Sequence, residues 1–360
     1  MCEKHEEVLS DVHIFLQKPT KLDADSLATD LDDVTAAQTV YRSRFRFRVP
    51  SHHGLLSPMQ SSVSELPSSA DAEQFNEPCG GTQTDQIAQQ LDLDEDGDLV
   101  VDRPSSNFAA TSSEDVEVDV VTIDHCMATP LMDVGLQVWQ GSLLMCDFIL
   151  HHGDEFKGHV ALELGGGLGL SSIAMGMFAR TVFCTDVGDS VLARCKQNID
   201  TNRHLLGDST TECDSTSETQ HDRVIVRELD WTQDDLNQDP TKPFSWSNQD
   251  NKALSHVTII FAADVVYDNN LTDAFFKTLR RFMKQEGPKT AYISMERRLN
   301  FTLSDLDVTC KEYDHFRSHL DRLTAPGAVG FSVCQIPTDF PLYFDYERVK
   351  QLELWKITKR

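Results

Sequence analysis

The stretch Val160-Ala161-Leu162-Glu163-Leu164-Gly165-Gly166-Gly167-Leu168-Gly169-Leu170 decides the fold, because it joins one apolar run to another through a turn almost free of side chains. A short apolar run closed by glycines reads as a buried strand, and the segment that follows reads as a helix. A flat polar ligand can lie directly on a backbone that lacks Cβ atoms. Glu163 stands two residues before Gly165, and Asp186 ends the next apolar run, Thr181-Val182-Phe183-Cys184-Thr185. Carboxylates at two neighbouring strand ends suit a ligand with an ammonium and a ribose diol. The spacing Glu-x-Gly-x-Gly-x-Gly departs from the dinucleotide fingerprint Gly-x-Gly-x-x-Gly, since position 170 is leucine. Glycine-rich turns also close ordinary strand-to-helix joints, so the decision rests on the residues around this one.

From about residue 130 onward, apolar strands alternate with amphipathic helices, which predicts a mainly parallel sheet covered on both faces. Strands are expected at 159–164, 181–185, 223–229, 257–263, 289–294, 330–335 and 352–357, with the last two pairing as an antiparallel hairpin at the sheet edge. Val191, Leu192, Cys195 and Ile199 form one helical stripe, and Leu271, Phe275, Leu279 and Phe282 form another. Both stripes read as core packing. Residues 207–222 are a polar insertion between a helix and the third strand, read as a mobile surface loop.

The remainder of the chain divides into residues 1–50, with short strands near the core, an insert over 51–115, and a main domain over 116–360. The insert is rich in Ser, Asp, Gln, Pro and Gly, and cannot bury enough apolar surface to offset the entropy of ordering, so disorder is expected. Strand-like pieces lie at Val12–Gln17 and Arg42–Val49, with Val116–Thr122 a candidate partner of the second. Arg42, Arg44, Arg46 and Arg48 would share one face, suited to an acidic tract, nucleic acid or an import receptor, or simply solvated at an edge. The formal net charge of −26 disfavours direct binding to nucleic-acid phosphates and suits either a basic partner or plain solubility. Nine cysteines without a C-x-x-C pair read as reduced thiols, Cys184 and Cys334 among them as buried ones. No stretch reaches the roughly 20 apolar residues of a membrane span, and the first residues lack a signal-peptide pattern. His52-His53 and His151-His152 lack the spacing of two ligands on one helix face, so no metal is expected.

Four segments in order, Gly135-Leu136-Gln137-Val138-Trp139-Gln140-Gly141, the glycine run, Leu229-Asp230-Trp231 and Ala263-Asp264-Val265-Val266-Tyr267, resemble the motifs of the methyltransferase-like family of seven-strand protein lysine methyltransferases. The resemblance covers about 130–360. It implies an α/β fold with a Rossmann-like methyltransferase sheet, mostly parallel with an antiparallel C-terminal hairpin, preceded by a β-containing, partly disordered acidic extension. It also implies S-adenosyl-L-methionine as cofactor. By this resemblance Trp139 packs against the cofactor, and Gly165, Gly166 and Gly167 lie under its methionine part, with Gly169 a further cofactor-binding residue. Glu163 faces the ammonium, Asp186 accepts bonds from the ribose hydroxyls, and Asp230, Trp231 and Ala263 form the adenine pocket. Asp264 and Tyr267 carry the catalytic role at the mouth where substrate meets the methyl group; Ser294-Met295-Glu296-Arg297 either adds to the rim or serves surface ion pairing. The plainer alternatives are a core aromatic for Trp231 and, for Asp264, a cap on the helix that starts near Asn270.

The activity implied is methyl transfer to a lysine of a non-histone protein. The alternatives are a small-molecule methyltransferase on the same fold, which fold alone does not exclude, and a scaffold that binds the cofactor without turnover. Expected partners are a basic lysine-containing protein and, by the resemblance, chaperones. The chain is expected to be monomeric and to reside in the nucleus or cytosol, with the nucleus favoured.

Overall fold

The computed structural model describes residues 7–10, 12, 20–21, 39–50, 117–206, 222–298, 300–302, 307–325 and 330–359. The insert expected over 51–115, the loop at 207–221 and most of the strand expected at Val12–Gln17 lie outside the described residues; Val12 itself is buried and not in a strand.

Before the main sheet come β1 (Glu7–Leu9), β2 (Thr20–Lys21), β3 (Val40–Arg48), β4 (Val118–Cys126) and β5 (Ala128–Pro130). β3 and β4 pair antiparallel along their full length, Val40 opposite Cys126 and Arg48 opposite Val118. Alternation sends Ser43, Phe45 and Phe47 inward and leaves Arg44 and Arg46 exposed. The basic face is not uniform, because Arg42 is engaged in a two-pronged ion pair with Asp124, at 2.7 and 2.9 Å. Asn198 and Asn202 side-chain oxygens accept from the backbone N–H groups of Asp124 and Thr122, each at 2.8 Å, tying β4 to the C-terminal end of the helix at Asp189–Thr201.

A 3-10 helix (Leu131–Leu136) leads into α1 (Gln140–His151) and α2 (Gly153–Phe156). Then follow β6 (Val160–Leu164), α3 (Leu170–Gly176), β7 (Thr181–Asp186), α4 (Asp189–Thr201), β8 (Val224–Glu228), α5 (Asn248–Leu254), β9 (Val257–Ala263), α6 (Asn269–Met283) and β10 (Thr290–Glu296). The chain closes with β11 (Asn300–Thr302), β12 (Asp307–Thr309), α7 (Lys311–Thr324), β13 (Phe331–Ile336) and β14 (Leu352–Lys359). The seven-stranded sheet has the order β13-β14-β10-β9-β6-β7-β8. Its five strands from β10 to β8 are parallel, and β14 runs antiparallel to both β10 and β13. The expected seven strands and terminal hairpin are therefore present.

Every residue of β6 is buried, which explains its near-continuous apolar sequence. Val160, Leu162 and Leu164 face a core completed by Phe275, Phe276 and Leu279 of α6 and Phe316 and Leu320 of α7. Ala161 faces the opposite core, with Leu144 and Ile149 of α1, Ile173 of α3 and Cys195 and Ile199 of α4. Cys334 corrects the expectation of a buried thiol: it is exposed, because β13 is the edge strand.

The chain starts the parallel sheet at β6, moves outward through β7 and β8, then returns to β9 on the other side of β6. Ligands of open α/β sheets sit at such a reversal, beyond the carboxyl ends of the strands. α1 covers this point and is held by a buried clasp. Asp147 accepts from the backbone N–H groups of Tyr343 (2.8 Å) and Phe344 (2.9 Å) and pairs with Arg348 at 2.5 Å.

Candidate active site

The carboxyl ends of β6, β7, β8 and β9 and the start of α1 enclose a cleft of about 990 Å³, part of it open to solvent. Trp139, Glu163, Gly165, Gly166, Gly167, Asp186, Asp230, Trp231, Ala263, Asp264 and Tyr267 all line it. Gly169 does not. It adopts φ +83° as the residue before α3, and a Cβ there would stand 2.9 Å from Cys195 Sγ. It starts the helix and packs it on α4, outside the residues that line the cleft.

The turn after β6 folds back because the N–H groups of Gly165 and Gly166 both donate to the Thr185 carbonyl at 2.9 Å. Gly165 holds φ +75°, and a Cβ there would lie 2.7 Å from Val265 Cγ1 and 3.1 Å from the Trp231 ring. The bare backbone is thus a condition of the close approach of two cleft walls.

Asp186 Oδ2 accepts from Gly167 N at 2.7 Å and Oδ1 from Val187 N at 2.8 Å. These bonds fix the carboxylate at the rim and leave each oxygen further acceptor capacity, as a ribose diol requires. Burial raises its pKa, with the two backbone donors opposing. Glu163 lies deeper, 1% exposed, accepting from Ser172 Oγ and from Cys184 Sγ at 3.6 Å. Burial pushes its pKa up to about 7 despite these donors, so a cation arriving in the cleft would draw it to the charged form.

Two indoles define the cleft's apolar walls. Trp139 is locked by its Nε1 donating to the Val134 carbonyl at 3.0 Å, and the Arg298 guanidinium lies 4.5 Å from its ring centre. Trp231 meets Phe275 edge to face at 5.4 Å. Its Nε1 is buried and has no hydrogen-bond partner among the described residues. An orphaned indole donor in a cleft wall is costly unless a ligand supplies an acceptor. The core-aromatic alternative leaves that donor unexplained. Asp230 Oδ1 accepts from Thr232 N and Thr232 Oγ1, at 2.8 and 2.7 Å, which shapes the loop that carries Trp231.

Asp264 sits at φ +53°, a conformation that Asp tolerates better than most residues. Its Oδ2 accepts from Gly141 N at 2.5 Å and its Oδ1 from Glu296 N at 2.8 Å, while Ser294 Oγ donates to the Gly141 carbonyl at 2.7 Å. Asp264 therefore binds the first turn of α1 to the end of β10. Gly141 permits this, since a Cβ there would fall 2.6 Å from Asp264 Oδ2. The capping alternative is corrected as well: the cap of α6 is Asp268, whose Oδ1 accepts from Leu271 N at 2.8 Å. Burial, with Asp186 and Asp268 nearby, pushes the Tyr267 phenol up to about 12. Ser294 and Met295 are buried and do not form the expected rim.

Several lining residues escaped the sequence reading. Val191 and Leu271, placed in core stripes by their helical spacing, line the cleft at the ends of those stripes, together with Met132, Ser142, Ser171 and Val187. Isolated serines on helices carry no periodic signal.

The glycine cradle, the two carboxylates at neighbouring strand ends and the orphaned Trp231 donor fit S-adenosyl-L-methionine. A lysine methyltransferase family model matches residues 126–308. Methyltransferase-like protein 22 of Homo sapiens is 46% identical over 314 residues, covering 79% of this chain and 75% of that protein. Methyltransferase-like protein 22 of Mus musculus is 38% identical, covering 98% of this chain and 96% of that protein. The protein-lysine N-methyltransferase EEF2KMT of Homo sapiens is 27% identical, covering 41% of this chain and 40% of that protein. On this site and these matches, the chain belongs to the lysine methyltransferase family and is an S-adenosyl-L-methionine-dependent methyltransferase.

Proposed function

We propose that this chain moves a methyl group from S-adenosyl-L-methionine to the side-chain amine of a lysine in a non-histone protein. The observation that carries the reading is the convergence of four distant segments, at Trp139, Glu163–Gly167, Trp231 and Asp264–Tyr267, on one cleft. Family membership points to lysine as the acceptor.

The bound cofactor supplies an electrophilic methyl group on a sulfonium. Glu163 would hold the cofactor's ammonium, Asp186 its ribose diol, and Trp231 its adenine, with Gly165–Gly167 beneath its methionine part. A free lysine has a pKa near 10.4 and must lose its proton to attack. The cleft offers no strong base for this. The Tyr267 phenol stays protonated up to about 12, and both Asp264 oxygens already accept from backbone N–H groups. Proton loss would follow from desolvation of the ammonium beside a cationic methyl donor, both of which favour the neutral amine. Tyr267 would line the lysine channel, and Asp264 would keep α1 and Trp139 in register for it, with spare lone pairs to orient the incoming ammonium. Alignment of amine and methyl can supply roughly 7–11 kcal/mol of the barrier reduction.

The net charge of −26 supports a basic protein substrate, whose encounter rate it would raise. Nuclear or cytosolic residence, association with chaperones and a monomeric state complete the proposal. Radiolabelled cofactor, the chain and a cell extract lacking it should yield a discrete labelled protein band that Gly165→Arg abolishes. No labelled protein, with cofactor binding intact, would refute a protein substrate.

A further inference from the structure

Where α6 packs on α7, at residues that do not line the cleft, His315 and His319 stand four residues apart on α7, so both imidazoles lie on one side of the helix. Both point at Asp273 of α6: His315 Nε2 lies 2.9 Å and His319 Nε2 2.7 Å from the same oxygen, Oδ1. The candidate ligand atoms of the three residues all fall within 4.8 Å of one another. Three ligands around a tetrahedral zinc ion, at bond lengths of roughly 2.0–2.2 Å, stand about 3.3 Å apart. A small outward rotation of the Asp273 side chain, which is 57% exposed, would open that space.

The surroundings are suited to a metal. His319 is fixed by its ring lying parallel to Phe276, 4.5 Å away at 5°. Its Nδ1 is buried and has no hydrogen-bond partner among the described residues, and with Nε2 on a metal that nitrogen would carry the ring's proton. His315 and Asp273 lie at the surface side, which leaves a fourth coordination position for water.

We propose that Asp273, His315 and His319 form a binding site for one divalent transition-metal ion of the zinc type, clipping α6 to α7. Imidazole nitrogen with one carboxylate selects zinc, cobalt or nickel over magnesium or calcium, which prefer all-oxygen sites. Leu271, two residues before Asp273, lines the cleft, so the clip would brace the helix that begins at the cleft wall.

The test uses the full chain without a histidine tag, stripped of metal and titrated with zinc against a chromophoric chelator. One tight equivalent is expected, with affinity at least tenfold weaker in His315→Ala and in Asp273→Ala. Zinc should raise the thermal midpoint of the unaltered chain and not that of either variant, while cofactor binding stays the same in all three. Cobalt should give a visible band of nitrogen and oxygen ligation without sulfur charge transfer. Asp273 is exposed, so its variant keeps the test decisive if His315→Ala misfolds. Equal affinity in the unaltered chain and the variants, a cobalt spectrum of thiolate ligation, or no stoichiometric binding would each overturn the proposal and leave a hydrogen-bonded carboxylate with two imidazoles.

Discussion

Replacing Glu163 with glutamine tests the electrostatics of the cofactor site. The folded carboxyl has its pKa raised from 4.5 to about 7 by burial, so the fold favours the protonated form. Its contribution to stability is fully present below pH 4.5 and is lost as pH rises through 7. At about 1.4 kcal/mol per pH unit, that interval amounts to about 3 kcal/mol. Glu163→Gln keeps the shape and an acceptor for Ser172 Oγ. Its stability relative to the unaltered, ligand-free chain should therefore climb by about 3 kcal/mol between pH 4.5 and 8. Binding should respond in the opposite sense, because the cofactor's ammonium needs the charged form. At pH 6.5 about three-quarters of the Glu163 population is protonated, so binding should release about three-quarters of a proton. Affinity should rise about fivefold from pH 6 to 7.5, limited at the upper end by an amine that titrates near 7.7–8.0. Calorimetry with S-adenosylhomocysteine in buffers of different ionisation enthalpy reads the proton count directly. Absence of proton release, or the same release from Glu163→Gln, would refute the placement of Glu163 opposite the ammonium.

Asp264→Asn retains a side chain that tolerates φ +53° but sets an amide N–H₂ against one of the two backbone donors, at a cost of about 1–3 kcal/mol. Denaturant melts should show that loss, methyl transfer should drop by far more than the folded fraction does, and cofactor affinity should hold; normal turnover would remove Asp264 from the site. For Tyr267→Phe, the pH–rate profile should keep its shape while the rate falls, since a phenol protonated up to about 12 is no base; a displaced limb would contradict this. Asp147→Ala removes Arg348's carboxylate partner and the acceptor of two backbone N–H groups, and should cost about 3–5 kcal/mol by thermal unfolding, whereas a loss under 1 kcal/mol would show that the clasp does not hold α1.

Much of the architecture was legible in the chain because strands buried on both faces are written as continuous apolar runs, as β6, β7 and β9 are. Glycine spacing alone does not separate Gly169 from the glycines that line the cleft, since a ligand-bearing turn and a helix start use the same residue for the same backbone freedom. The apolar stripes of α4 and α6 pack in the core as their spacing predicts, yet Val191 and Leu271 also line the cleft where each helix meets the strand ends. The anchoring of Asp264 was invisible because its two donors lie 123 and 32 residues away in sequence. His315 and His319 show ligand spacing on a helix, but their carboxylate comes from Asp273, which only the packing of α6 on α7 brings near.

The most direct test of lysine methylation is the identity of the methylated amino acid. Protein labelled by this chain with radioactive S-adenosyl-L-methionine, hydrolysed in acid and separated against standards, should give radioactivity that co-migrates with methylated lysine. The signal should be absent from the Gly165→Arg reaction. Label in methylarginine or methylhistidine, or label lost as volatile methanol from a carboxyl ester, would contradict the account.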